Sequence, residues 1–206
     1  MQPDEIERQS FAIIDAEAGV HNLIPKQWTI VRRMIHASAD FDYVHSVRIH
    51  PRAVAAGVKV IRGGGVIYTD TNMARTGIRK RDLARYGTGM KCLMDSEEIA
   101  RLALDQGVTR ARAAVDAVAG ALQNAIYVVG NAPTALLRLI ELIRTGKAAP
   151  ALVVGLPVGF VNAAESKAEL LHLDTPYITN VGRKGGSNVA ASVVNALILL
   201  AGEEDR

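Results

Sequence analysis

The sequence predicts an α/β protein: a single-domain parallel sheet of about five strands with helices on both faces, a Rossmann-like three-layer sandwich. Three observations predict this fold. Short apolar runs alternate with helical stretches in the second two thirds of the chain, as in βαβ units. The length of 206 residues fits one domain, taken here as residues 1–206. Hydrophobic residues make up 49% of the chain, which is enough for a full core.

The first quarter of the chain is predicted to be helical. A helix over residues 4–17 begins after Pro3 and ends before Gly19, and both residues favour those helix ends. A second helix over about 25–37 carries apolar residues spaced by four, three and four positions, which predicts one buried face. A third, short helix is expected over 52–56.

The remainder of the chain is predicted to alternate between strands and helices. The apolar runs expected to form strands are 66–70, 91–95, 125–130, 151–159 and 177–181. The expected helices are two stretches on either side of Gly107, 133–146, 163–173 and a terminal helix from about Gly186. Successive parallel strands joined in this way place helices on both faces of the sheet.

Four loops follow predicted strands and are rich in Gly, Asn and small polar residues. They are TDTNMARTGIRKR, VGNAPTAL, GLPVGFVNAAESK and NVGRKGGSN. Ligands of such sheets bind beyond the carboxyl ends of the strands, so chemistry is expected in these loops. In the last loop, Arg183 and Lys184 precede two glycines and a helix, an arrangement that suits a carboxylate or a phosphate. Neither G-x-x-x-x-G-K-[ST] nor G-x-G-x-x-G occurs, which argues against nucleotide binding.

His36 is the candidate proton-transfer residue. It follows Arg32 and Arg33 by four and three positions, so the three side chains are neighbours on one helix surface. Histidine suits proton transfer near neutral pH, and a bound polyanion would favour its charged form beside two guanidinium groups. The alternative interpretation of the same pattern is a solvated basic face, and the residues alone leave both open.

Composition and spacing exclude several classes. A net charge of +3 with 4% aromatic residues is atypical of nucleic-acid binding. The single cysteine, Cys92, excludes an internal disulfide framework and indicates a reducing cytoplasm. The most apolar run, 189–201, is shorter than a bilayer span, so we expect a soluble protein with no membrane segment and no targeting signal. No histidine has metal-ligand spacing, so no metal is expected.

Several segments together resemble the precorrin-8X methylmutase family, isomerases of the cobalamin pathway. The segments, in the family's order, are ERQSFAIID, VRRMIHASADFDY, TDTNMARTGI, GVTRARAA, VGNAPTAL, GLPVGFVNAAESKAEL and GRKGGSNVAAS. Two of these strings, GLPVGFVNAAESK and GNAPTAL, are long and unusual, so their co-occurrence is more specific than any single Gly-rich loop. The resemblance extends over nearly the whole chain.

The resemblance implies a reaction and roles for individual residues. The family moves a methyl group from ring carbon 11 to ring carbon 12 of a corrinoid precursor, giving hydrogenobyrinate or its cobalt form, cobyrinate. This 1,5-shift involves no redox change and no added cofactor. The resemblance makes His36 the proton donor and places substrate contacts on Ser10, Arg33 and Arg110. Ala111 follows Arg110 where the family can have serine, so the arginine is retained without the neighbouring hydroxyl.

The residues fit such a substrate independently. A corrinoid precursor carries many carboxylates, so it needs several fixed cations rather than one phosphate loop. The available cations are Arg32, Arg33, Arg79, Arg81, Arg110, Arg183 and Lys184.

The resemblance also implies an oligomeric state, because the family's members are homodimers with the site near the subunit interface. Short α/β loops are also too small to enclose a macrocycle alone, so we expect a homodimer.

Two other functions remain open from the residues alone. A non-catalytic tetrapyrrole-binding protein would use the same cations and pocket, but it would not need a titrating group at His36. A nucleotide-binding α/β module is the third hypothesis, and the missing phosphate-loop motifs argue against it.

Overall fold

The structure, a computed structural model, describes residues 2–203. Residue 1 and residues 204–206 of the predicted domain lie outside the described residues. The helices are α1 (Pro3–Glu17), α2 (Pro25–Ser38), α3 (Tyr43–Ser46), α4 (Ala53–Arg62), α5 (Asn72–Gly77), α6 (Lys80–Ala84), α7 (Glu97–Gln106), α8 (Arg110–Val118), α9 (Pro133–Arg144), α10 (Ala163–Leu170) and α11 (Ser187–Glu203). The strands are β1 (Val47–Ile49), β2 (Val66–Thr69), β3 (Gly89–Cys92), β4 (Ala125–Val129), β5 (Leu152–Gly155) and β6 (Tyr177–Asn180).

The sheet confirms the predicted fold class and adds one strand to it. Within residues 2–203 it has six strands in the order β1-β6-β5-β4-β2-β3. Strands β2 to β6 are parallel, and β1 pairs antiparallel with β6 at one edge. The prediction of about five strands therefore did not include β1. Its three residues, Val47 to Ile49, do alternate between apolar and polar, but three residues in a charged stretch are too few to predict a strand.

Helices cover both faces of the sheet, as predicted. On one face α11 packs against α2, α4 and α5; on the other, α7, α8, α9 and α10 pack in sequence. Alternate residues of the central strands enter opposite cores because strand side chains alternate in direction. In β4, for example, Ile126 and Val128 belong to the first core, whereas Tyr127 and Val129 belong to the second.

Several predicted segments differ from the structure. Strand β3 covers Gly89–Cys92 rather than 91–95, and β5 covers Leu152–Gly155 rather than 151–159. The third helix covers Ala53–Arg62 rather than 52–56. It continues through Gly57, where a Cβ atom would lie 2.8 Å from a Leu197 methyl group, so a glycine allows the close packing of α4 on α11. The long loop after β2 contains two short helices, α5 and α6. The Thr71 hydroxyl caps α5 by accepting a hydrogen bond from the Ala74 N–H (3.1 Å).

The point at which the strand order reverses lies between β2 and β4, where a ligand site is expected. Here the buried carboxylate of Asp70 accepts hydrogen bonds from the N–H groups of Gly130, Asn131 and Ala132, each at 2.8 Å. Burial raises the pKa of Asp70, and the three donors oppose that rise. The protein's own carboxylate thus satisfies the amides that precede α9, and this helix start is not an open phosphate site.

No helix among residues 2–203 combines the length and the apolar character that a bilayer span requires.

Candidate active site

His36 lies in the last turn of α2 and is exposed. The opposite side of this helix is fully buried through Ile30, Val31, Met34 and Ile35. This burial fixes the rotation of α2 and turns His36 towards solvent and towards α1. The His36 ring contacts Phe11 of α1, with 5.0 Å between the ring centroids. The imidazole is therefore supported from one side and open to a ligand from the other.

Phe11 joins His36 to the two neighbouring arginines. The guanidinium carbons of Arg32 and Arg33 lie 4.6 and 5.2 Å from the centroid of its ring. Cations at this distance from an aromatic face are attracted by the ring quadrupole. Phe11 therefore holds all three side chains of the predicted basic face in one place. Sequence reasoning missed this role, although Phe11 directly follows Ser10 in a segment that carries the family resemblance.

Arg33 is paired with a carboxylate that it shares with Arg79. One Glu7 carboxylate oxygen lies 3.2 Å from Arg33 Nη2 and 3.4 Å from Arg79 Nη2. Burial lowers the pKa of Arg33, and the attraction of Glu7 opposes this effect. An arginine keeps its charge in either case. The two guanidinium groups thus converge on one carboxylate, which is the geometry that a carboxylate of the substrate would also require. Arg32 instead pairs with Asp15 at 2.9 Å.

Ser10 lies on α1, half-buried, one turn after Ile6. Its hydroxyl donates to the Ile6 carbonyl oxygen at 2.9 Å, as mid-helix serines commonly do. The oxygen keeps its acceptor capacity, so a further donor could still bind there. Ser10 is three positions from Glu7, which places it on the same side of α1 as the arginine pair.

Lys184 is held by two aspartates that follow His36 in the chain. Its Nζ lies 2.6 Å from an Asp40 oxygen and 2.5 Å from an Asp42 oxygen. Both carboxylates raise the pKa of Lys184. A further hydrogen bond from Asn188 Nδ2 to the Ala37 carbonyl oxygen (3.1 Å) connects the start of α11 to the end of α2. The loop 181–186 is thereby fixed against the end of α2 and the segment that follows it.

Arg183 lies next to an exposed aromatic ring. Its guanidinium carbon is 5.5 Å from the centroid of Phe160, in the loop after β5. The Phe160 side chain is 83% exposed and the adjoining Val161 is 77% exposed. A large apolar surface beside a cation is unusual on a free protein surface, and it suits a ligand with a flat apolar ring and anionic arms. Phe160 is a further functional candidate that no local sequence pattern indicates.

Arg110 lies on the opposite helical layer from His36. It is the first residue of α8, whose preceding residue, Thr109, caps the helix by accepting from the Arg112 N–H at 3.2 Å. The hydroxyl groups of Thr109 and Thr134 are 3.0 Å apart, which joins the starts of α8 and α9. Arg110 is exposed, and no ion pair to it occurs among residues 2–203. The predicted site residues therefore lie in both helical layers, near the carboxyl ends of the parallel strands.

The family model for precorrin-8X methylmutase matches residues 5–200. The chain belongs to the precorrin-8X methylmutase family. It is 44% identical to the cobalt-precorrin-8 methylmutase of Priestia megaterium, over 98% of this chain and 89% of that protein. It is also 44% identical to the enzyme of that name from Salmonella typhimurium, over 96% of this chain and 95% of the relative. A precorrin-8X methylmutase from Pseudomonas aeruginosa is 40% identical over 93% of both chains.

A solved structure gives the same result. The fold superposes on the crystal structure of precorrin-8X methylmutase from Thermus thermophilus with a TM-score of 0.91 and 45% identity, over 98% of this chain and 97% of that one. The family resemblance, the fold class and the methylmutase activity in cobalamin biosynthesis are confirmed, and a non-catalytic binding protein is not favoured. The roles of His36, Ser10 and the four cations stay predictions.

Proposed function

We propose that this chain moves a methyl group from ring carbon 11 to ring carbon 12 of a corrinoid precursor, precorrin-8X or its cobalt form, with His36 as the proton donor. One observation carries the assignment of His36: an exposed imidazole packs on Phe11, which also contacts a guanidinium group. Phe11 connects it to Arg33. Asp40, four residues after His36, connects the end of the same helix to Lys184.

The rearrangement requires little covalent chemistry from the protein. The bond from the methyl group to ring carbon 11 breaks, the bond to ring carbon 12 forms, and the composition of the substrate does not change. A proton given to the macrocycle by His36 must therefore return before the product leaves. Proton transfer from a positioned imidazole and a fixed ring orientation are the two contributions needed, without an added cofactor.

Substrate carboxylates are expected to bind Arg33, Arg110 and Arg183, with Ser10 as a hydroxyl contact. Charge-assisted bonds of this kind set the orientation of a polyanionic ring. Lys184, the fourth predicted cation, already faces the carboxylates of Asp40 and Asp42. A substrate carboxylate would compete with both, so we assign Lys184 a smaller share of the binding free energy than each arginine. The exposed ring of Phe160 would face the apolar surface of the macrocycle.

Turnover of the two forms of precorrin-8 tests this function directly. Migration of the methyl group changes the conjugation of the ring, so the absorbance spectrum must change. We expect at least one form, metal-free or cobalt-loaded, to be converted when incubated with the protein. The ratio of the two rates assigns the natural substrate. Stoichiometric binding of both forms without any spectral conversion would overturn the proposal in favour of a carrier.

We expect the protein to be a homodimer in the cytoplasm. The loops that carry Arg183 and Phe160 are short, and Phe160 and Val161 leave apolar surface exposed in one subunit. A second subunit would bury part of this surface and complete a pocket for a macrocycle, and closed two-fold dimers are the commonest assembly. Light scattering over a dilution series, paired with activity, measures this. A fully active species with the mass of one chain would contradict a shared pocket.

A further inference from the structure

Lys167 is a buried lysine without a carboxylate partner. It lies in the middle of α10 with 1% of its surface exposed. Its Nζ donates to Asn180 Oδ1 at 3.1 Å and to the carbonyl oxygen of Lys184 at 2.6 Å. Within the described residues 2–203, no acidic side chain forms an ion pair with it. Lysines are seldom fully buried unless paired, so this position needs a reason beyond packing.

The other charged groups around α10 are engaged elsewhere. These contacts are Arg138 with Asp116 and Glu141, Arg144 with Glu169, and Lys184 with Asp40 and Asp42. Glu165, on α10 itself, is exposed. The two bonds to neutral oxygens are therefore the polar contacts of the Lys167 ammonium group in the described part of the chain.

The Lys184 carbonyl oxygen is where the loop 181–186 is attached to the rest of the protein by hydrogen bonds. It also accepts from Asn180 Nδ2 at 3.0 Å, so a helix side chain and a strand side chain hold the same oxygen. The loop around it is built from glycines in unusual conformations: Gly182 has φ +90° and Gly186 has φ +124°. Such a segment has many accessible conformations in the absence of an anchor. Two buried donors on one carbonyl select a single conformation.

We propose that Lys167 is a positioning residue for substrate binding, which holds the Lys184 carbonyl and thereby fixes the guanidinium of Arg183 beside the His36 segment. This inference rests on the proposed function in one respect, because it assumes that the loop 181–186 contacts the substrate. Lys167 itself is buried behind that loop and does not meet the substrate. Its effect is transmitted through the backbone of residues 183 and 184.

The charge of Lys167 is not what this role requires. Burial lowers the pKa of Lys167 to about 8. A neutral amine keeps two N–H donors, which match the two acceptors, so both hydrogen bonds survive the loss of the proton. The loop is therefore held on both sides of pH 8. A lysine that attracted the substrate through its charge would behave differently, because its contribution would disappear above pH 8.

Amide hydrogen exchange in the unliganded protein tests the anchor separately from function. We expect Lys167→Met to raise exchange about tenfold or more at the Gly159 and Gly186 amides, since loss of a buried hydrogen-bond donor promotes local opening. These amides donate to the carbonyl oxygens of Arg183 and Leu156 respectively. The matched control is Lys147→Met, which removes the same charge from an exposed position after α9. Equal exchange in all three proteins would overturn the inference.

Steady-state kinetics then test the link to substrate. We expect Lys167→Met to raise KM about tenfold and to leave kcat within about threefold, because His36 is untouched. The rise in KM should be much smaller when Arg183 is already replaced by alanine, because Lys167 then has no guanidinium group to position. If exchange rises while KM does not, the anchor exists, and the assignment of Arg183 and Lys184 to substrate binding is wrong.

The pH profile separates positioning from direct charge. A KM that rises above pH 8 in the wild type and not in Lys167→Met would overturn the positioning role. If Lys167→Met does not fold, Lys167→Gln provides the second variant, since it keeps two N–H donors without a charge. At the Gly159 and Gly186 amides, we expect exchange in Lys167→Gln to be faster than in the wild type but slower than in an unfolded peptide. Exchange as fast as in an unfolded peptide would contradict the inference.

Discussion

Replacement of His36 by alanine is expected to lower turnover by roughly 100- to 10,000-fold, the usual contribution of a positioned general acid. The side chain is exposed and makes no hydrogen bond within the described residues, so its loss leaves the fold intact. Affinity for the product corrinoid should stay within about threefold, because the carboxylate-binding arginines are unchanged. Single-turnover absorbance measurements and product titration report the two quantities separately.

The control for this variant is His45→Ala. His45 is also exposed, but it lies in α3 and belongs to none of the contacts around Phe11. Its turnover should match that of the wild type. If His36→Ala turned over within about threefold of the wild type, a barrier change of only ~0.7 kcal/mol, another group would have to donate the proton. A loss of affinity at an unchanged maximal rate would instead assign His36 to binding.

The sequence predicted the parallel part of the fold well because each central strand is a short, continuous apolar run. Val66, Ala125, Leu152 and Tyr177 begin strands in or at the predicted segments. The edge strand β1 could not be predicted in this way. It is buried on one face at most, and its pairing with β6 depends on a contact between segments that lie far apart in the sequence.

The candidate site was predictable only where neighbours in sequence are neighbours in space. The spacing of Arg33 and His36 on α2 is such a case. Phe11, which supports both, comes from another helix, and no local pattern reveals that packing. Lys167 was hidden for a similar reason: in the sequence it is an ordinary mid-helix lysine, and only the turn of α10 towards β6 buries it.

The two groups of ion pairs near His36 differ in their charge balance. On the α1 side, Arg33 and Arg79 face the carboxylate of Glu7, and Arg79 also lies 3.9 Å from an Asp82 oxygen, so these charges balance. On the other side, Asp40 and Asp42 face Lys184 alone, which leaves one negative charge. A polyanionic ring is therefore repelled from the aspartates, and it binds more favourably on the arginine side and at Arg183. This asymmetry would fix which edge of the macrocycle faces the imidazole.

Conversion of the product's carboxylates to methyl esters is expected to weaken its binding strongly. Each charge-assisted hydrogen bond is worth roughly 1.5–3 kcal/mol, so loss of the partners of Arg33 and Arg110 alone corresponds to ~3–6 kcal/mol, or more than 100-fold in Kd. The ester keeps the ring and its apolar surface, so contacts with Phe160 should persist. Calorimetric titration of the free acid and of its methyl ester measures the difference, and the acid should also bind less tightly at high salt.

Variants assign this difference to individual cations. Arg33→Met and Arg110→Met should each reduce the preference for the acid by about tenfold or more. Lys184→Met should reduce it less, because Asp40 and Asp42 already compensate that charge. Arg101→Met, an exposed position on α7, is the matched control and should leave the preference unchanged. Equal affinity of the wild type for acid and ester would refute recognition by cations. A larger loss for Lys184→Met than for Arg33→Met would show that the substrate displaces the aspartates and binds on the opposite side of His36.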